Sequence, residues 1–319
     1  MSTSLTLQFS RRTLAIGIAA AAGLLALGDR AKAQRHTEST PEASPQATPA
    51  TSGPTLLLRM ESSGGLMPME YVAVQMPEFS LYDDGSLYRL GPTIAIYPPA
   101  ALPNLTRMRL SQEGIDAIME RAKAAGLEQS QSVTNTMVMD APTTIFTYND
   151  NGTMVKTTAG ALIPDGPVPP DWDEQETTTY NNMLDLKAFL SGIDASLPEG
   201  SVLEPDVPID PERLQIVSFV PDPAQPLASN VPDMEQPPVE WPLSTSLADF
   251  GVPYHKIMGE TIPPMYCAEL SGADLKKVVA ASRTGNFTSP WTDDSVTYGL
   301  LMRPLLPDEV ACQSMGCGG

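Results

Sequence analysis

The chain has 319 residues, 42% of them hydrophobic, 18% charged and only 6% aromatic, with 32 Pro, 16 Met, 3 Cys and 2 His. Its length allows one large domain or two ordinary ones, either able to bury a sizeable core. Nineteen basic against 38 acidic residues give a net charge of −19, which excludes a phosphate-binding, nucleic-acid surface and docking on anionic lipid. His36 lies in a polar, Pro-rich stretch and leaves His255 alone, which excludes a multi-His metal site and restricts any Ser-His-Asp or Cys-His machinery to that one imidazole.

The N-terminal 33 residues predict export. Arg11 and Arg12 precede an uncharged apolar run, Leu14 to Leu27, and Ala31-Lys32-Ala33 supplies the small-x-small pattern cut by signal peptidase. That run is shorter than the roughly 20 residues a helix needs to cross a bilayer. The arginine pair resembles a twin-arginine export signal, with Leu14-Ala15 in place of the usual Phe-Leu; an ordinary secretory signal with a basic head is the alternative. Either way the expected location is extracellular or in the cell envelope, with no stable membrane anchor once the signal is removed.

Residues 34–54 contain no large apolar side chain and cannot offset the entropy of ordering, so a disordered linker is expected. A first module spans 55–196. Thr55 to Met60 reads as a buried strand, Ser62-Ser63-Gly64-Gly65 as a turn, and Glu70 to Gln75 and Phe79 to Tyr82 as strands. Asp83-Asp84-Gly85 has hairpin chemistry leading to Ser86–Leu90. Ser111 is a candidate cap for a helix whose Ile115, Ile118, Met119 and Ala122 recur at helical spacing and which Gly126 can stop. Thr143–Tyr148 and Met154–Thr158 flank the hairpin signal Asn149-Asp150-Asn151-Gly152. Residues 163–176 read as loop, and Met183, Leu186, Leu190 and Ile193 as a short second helix.

Four prolines and acidic charge mark 197–211 as a connector. A second module, 212–312, begins with the strand Leu214–Val220 and continues through an irregular segment, 221–245, with seven prolines. Ser271 and Asp274 suggest a capping box for a third helix with Leu275, Val278 and Val279 buried. Ser295–Met302 is the last strand, and 313–319 a flexible tail. Leu110-Ser111-x3-Ile115-x2-Ile118-Met119 parallels Leu270-Ser271-x3-Leu275-x2-Val278-Val279, a match that two related modules or any two capped amphipathic helices would give. Strands and helices mix without a βαβ rhythm, so the expected class is α+β, with antiparallel strands and short helices.

Candidate chemistry is sparse. In an exported chain, Cys267–Cys312 is the expected disulfide, tying the strand before the third helix to the segment after the last strand; Cys312–Cys317 is the competing short loop. Met67-Pro68-Met69 and Met137-Val138-Met139 offer paired soft sulfur ligands for copper, against the alternative that methionine fills core volume. Asp171, Asp173, Glu174 and Glu176 could attract Ca²⁺ but lack the loop pattern that would make the site specific. Trp172, Trp241 and Trp291 read as plugs of the core edge rather than ligand contacts. No GxGxxG, GxxxxGK[ST] or GxSxG motif occurs, so no cofactor, resident metal or catalytic residue is assigned.

The order of an apolar strand, Ser62-Ser63-Gly64-Gly65-Leu66, the Leu110-Ser111 helix and Asp140-Ala141-Pro142-Thr143 leading into a hairpin is similar to a family of uncharacterised exported bacterial proteins. Ser289-Pro290-Trp291 and Arg303-Pro304-Leu305-Leu306-Pro307-Asp308-Glu309 fit the same group. Residues 55–195 also resemble the emfourin-type inhibitors of metalloproteases, which share a strand, a Ser-Gly-Gly turn, a helix and a hairpin. The resulting expectation is an exported, non-enzymatic binding module acting on an extracytoplasmic protein or small ligand. The alternatives are an emfourin-like protease inhibitor, a carboxylate-dependent hydrolase and a copper-binding protein.

Overall fold

Two sheets with separate hydrophobic cores organise the chain. The computed structural model describes residues 53–67, 69–221, 238–254 and 265–312, with 69 and 70 as backbone only. In chain order the elements up to residue 208 are β1 (Leu56–Ser63), α1 (Met69–Val74), β2 (Phe79–Tyr82), β3 (Ser86–Leu90), β4 (Leu105–Leu110), α2 (Gln112–Ala124), β5 (Ser132–Thr134), β6 (Thr143–Asp150), β7 (Thr153–Gly160), α3 (Glu174–Ser191) and β8 (Val202–Pro208), and their strands form the first sheet. Its strand order is β5-β7-β6-β1-β2-β3-β4-β8. The second comprises β9 (Arg213–Phe219), β10 (Val239–Glu240), β11 (Val252–Pro253), β12 (Met265–Ser271), α4 (Gly272–Ser282), β13 (Trp291–Asp293) and β14 (Val296–Pro304), in the order β10-β13-β14-β9-β12-β11. Only the short edge pairs β5–β7 and β10–β13 are parallel among the described strands. The class is α+β, and both sheets lie within one compact unit.

Side-chain alternation decides which face each strand buries. Leu58, Met60, Phe79, Leu81, Met108 and Phe146 of the first sheet meet Ile115 and Ile118 of α2 and Tyr180, Met183, Leu186 and Leu190 of α3. A register irregularity between Leu56 and Leu58 turns Leu56 to the opposite face, where it packs with Tyr82, Leu105 and Leu306. In the second sheet Leu214, Ile216, Leu300 and Met302 pack with Leu275, Val278 and Val279 of α4. The reverse face, with Val217, Phe219 and Leu301, packs with Ala73 and Val74 of α1.

The helix ends follow their sequences. Ser111 caps α2 by accepting from Gly114 N (3.3 Å), and Gly126, at positive φ, closes it in a Schellman arrangement: its own N–H reaches Lys123 O (2.8 Å) and Leu127 N reaches Ala122 O (3.2 Å). Several expectations are corrected. Residues 69–74 form a helix rather than a strand, because Ala73 and Val74 must reach the second sheet's core while Tyr71 stacks on Phe287 at 4.7 Å. The second helix starts earlier, at Glu174, with Asp173 and Glu176 in a reciprocal capping box. The predicted box at α4 is absent: Ser271 makes no side-chain capping bond, and Asp274 pairs with Lys277 at 3.0 Å instead. The expected connector 197–211 contains β8, which adds to the edge of the first sheet beside β4. The Leu110-Ser111 and Leu270-Ser271 parallels both mark a strand ending at a serine N-cap.

Arg11, Arg12, Ala31, Ala33, His36, His255, Cys317 and the side chain of Met69 lie outside the described residues, as do nearly all of the 34–54 linker and the whole 313–319 tail. Among the described residues, no helix is long and apolar enough to cross a membrane.

Candidate functional site

Two regions gather side chains of potential function. The first is the end of the first sheet where β1 leaves and β6 arrives. Gly64 and Gly65 both sit at positive φ, which lets the chain turn sharply after Ser63. A Cβ on Gly65 would lie 3.2 Å from Asp140 O and 3.3 Å from Pro142 N, so the glycine also permits close approach of the two loops. Leu66 N donates to Asp140 O at 3.2 Å and Met67 N to Gly65 O at 3.0 Å. Asp140 itself takes a left-handed conformation. On the facing loop, Asn135 is buried and fixes the backbone from two sides: its Oδ1 accepts from Met137 N (3.0 Å), while its Nδ2 donates to Pro167 O (2.7 Å). This pinned pair of loops presents four exposed apolar side chains beside the exposed Asp140. Leu66 is 91% exposed, Met67 38%, Met137 52% and Met139 82%.

The second region is a cleft of about 510 Å³ between the sheets, lined by Arg59, Glu61, Lys156, Arg303, Asp308 and Glu309 among others. Arg59, nearly buried on β1, donates through Nε to Ser80 Oγ (3.0 Å) and through one terminal nitrogen to Tyr82 Oη (3.1 Å) and Asp308 Oδ1 (2.7 Å). Tyr82 donates to the same Asp308 oxygen. Arg303 grips Glu309 with two hydrogen bonds, 3.0 and 2.7 Å, and donates to Gln75 O at 2.9 Å. Burial opposes the Arg59 charge, but Asp308, Tyr82 and Glu309 outweigh it and hold the guanidinium more firmly protonated than usual. Burial pushes the Tyr82 phenol far above its ordinary value against the pull of Arg59, with Asp308 reinforcing the rise. A tyrosine that keeps its proton and an arginine that keeps its charge form a fixed clasp, not an acid–base pair. This cleft holds the segment 305–310 against both sheets.

The other sequence candidates resolve individually. Cys267 and Cys312 are joined in a disulfide, tying β12 to the segment after β14. Asp173 and Glu176 cap α3 rather than converge on an ion. Trp241 and Trp291 are buried in the second core with ring centroids 6.1 Å apart, and Trp172 packs on Tyr180 at 5.1 Å. Among the described residues no three His, Cys, Asp or Glu side chains group as metal ligands. Sequence reasoning named Met67, Met69, Met137 and Met139 as one candidate copper set; the structure ties the loops of Met67 and of Met137 and Met139 together through the β1–β6 pairing and the Leu66–Asp140 hydrogen bond. It missed the Arg59–Asp308 clasp, whose partners lie 249 residues apart. No family model, curated protein or solved structure matches the chain.

Proposed function

We propose that this chain is an exported, non-enzymatic binding protein that takes its ligand at the two loops that meet where β1 ends and β6 begins. The carrying observation is Leu66, whose side chain stands 91% exposed on a turn fixed by a backbone hydrogen bond to the neighbouring loop. A large apolar side chain left in water contributes nothing to folding, and pinning its backbone in advance lowers the ordering cost of binding. Met67, Met137 and Met139, also exposed, lie in the same two hydrogen-bonded loops, and exposed apolar surface gathered in this way marks interaction sites. The N-terminal arginine pair with its apolar run supports export, and a cysteine bridge agrees with an oxidising destination.

The test is native mass spectrometry on protein recovered from outside the cytoplasm, wild type beside Leu66→Asp. Extra mass retained by the wild type and lost by the variant is the expected result; two bare chains would overturn the reading. An inhibitor role is a second reading, favoured by the same protruding turn at Gly64-Gly65 within the 55–195 segment, and a metalloprotease as the retained mass would identify it.

A further inference from the structure

Among the described methionine side chains, Met119 and Met265 are partly buried against the cores, and the rest fall into two sets. Met60, Met76, Met108, Met183 and Met302 are buried and do what methionine does in a core, filling irregular volume. Met67, Met137, Met139 and Met154 are exposed, and volume filling does not explain them. Three of these four belong to the loop pair. β1 and β6 run antiparallel with Ser62 opposite Thr144 and Ser63 opposite Thr143. Beyond the strand ends the chain turns at Gly64 and Gly65, and Leu66 N still reaches Asp140 O at 3.2 Å, so Met67 and Met139 each lie one residue from the hydrogen bond that ties the two loops. Met137 lies two residues further along the same loop, held by Asn135. Segments about 70 residues apart in sequence therefore carry thioethers on two loops tied to each other by a backbone hydrogen bond before any ligand arrives.

We infer that Met67, Met137 and Met139 form a thioether site for Cu(I). Thioether sulfur is a soft, neutral donor that selects Cu(I) over the harder divalent ions, which prefer imidazole or carboxylate oxygen. Neutral ligands leave the ion's charge uncompensated, and exposed Asp140 in the same loop, on a chain of net charge −19, supplies a favourable field. Exposure suits a site that must accept and release its ion. This assignment rests on the binding reading above and narrows its ligand to a soft monovalent metal.

The test adds Cu(I), as its acetonitrile complex under nitrogen, to the full chain labelled with ¹³C at the methionine methyl groups. The methyl signals of Met67, Met137 and Met139 should shift together and saturate at about one ion per chain. Met154 is the internal reference: it is similarly exposed but sits in β7 opposite Asn149, near the other end of β6 and roughly 20 Å away along the strand, and its signal should stay put. Zn(II) at the same concentration should move none of the three. Met139→Leu keeps size and apolarity, so the fold survives. It should weaken Cu(I) roughly tenfold or more in competition with a chromogenic chelator, at least what losing a residue that supports a metal ligand costs. Unmoved signals, an equal shift at Met154, an equal response to Zn(II), or undiminished affinity in Met139→Leu would each overturn the site. If Cu(I) fails while the native spectrum still shows a mass that depends on Leu66, the copper assignment falls and the binding reading stands.

Discussion

Ser218 shows what single residues in this fold conceal from sequence. It is the penultimate residue of β9, in register with Leu300 on one side and Tyr266 on the other, and its hydroxyl is buried without a hydrogen-bond partner. In a run reading Leu-Gln-Ile-Val-Ser-Phe, a serine looks like an ordinary strand-end residue; only the tertiary packing around a strand held between β12 and β14 removes its water. An unpaired buried hydroxyl carries its desolvation cost without return. Ser218→Ala is therefore expected to raise stability by about 1 kcal/mol, read as a higher denaturant midpoint with unchanged slope. A drop of the same size would mean that the hydroxyl has a partner after all. The methionine couples are the opposite case. Their type and spacing were visible at once, but whether they fill a core or face water depends on a register that no short window contains.

At the scale of elements, local chemistry was legible wherever local chemistry decided. The β2–β3 and β6–β7 hairpins, the Ser111 cap, the Gly126 stop and the buried stripe of α4 all follow from residues within one turn or one strand of each other. α3 shows where an acidic run misleads. Asp173 and Glu176 suggest ion binding when read as a cluster, yet each bonds the other's backbone N–H, at 2.8 and 3.0 Å, and both sit where the helix dipole favours negative charge. Asp173→Ala should cost about 1 kcal/mol and lower the melting temperature, while adding Ca²⁺ to the wild type should leave that temperature unchanged. A calcium-dependent rise lost in the variant would restore the ion-site reading. β8 escaped detection for a different reason. Its two prolines and two acids are poor strand formers, but they suit an edge, where removing N–H groups and adding charge discourages pairing with another chain. The helix at 69–74 escaped because its apolar residues suit either period, and packing against the second sheet chose between them.

The whole molecule is held by contacts far apart in sequence, and their pH dependence is the property that tests them together. The segment after β14 is bound to the first sheet through Asp308 on Arg59 and Tyr82, and to the second through the Cys267–Cys312 bridge and Cys312 N on Gln215 (2.8 Å). Tyr82 must keep its proton to donate to Asp308, and its burial beside that carboxylate raises its pKa above the ordinary 10.0. Burial raises Tyr88, Tyr148, Tyr254 and Tyr298 in the same direction. The sign follows from proton counting. Below pH 10 the phenols are protonated in both folded and unfolded chains, so their contribution is fully present and constant. Above it the unfolded chain releases protons that the folded chain retains, so stability falls as pH rises. One fully differential proton changes the unfolding free energy by about 1.4 kcal/mol per pH unit. Tyr82→Phe should be less stable than the wild type at neutral pH, since Asp308 loses a donor. Above pH 10 the two curves should converge at about that rate, because the variant has one fewer proton to lose. Denaturant titrations at successive alkaline pH values measure this. Curves that stay parallel through the alkaline range would mean that Tyr82 ionises freely in the fold and that the clasp around Arg59 is open to water.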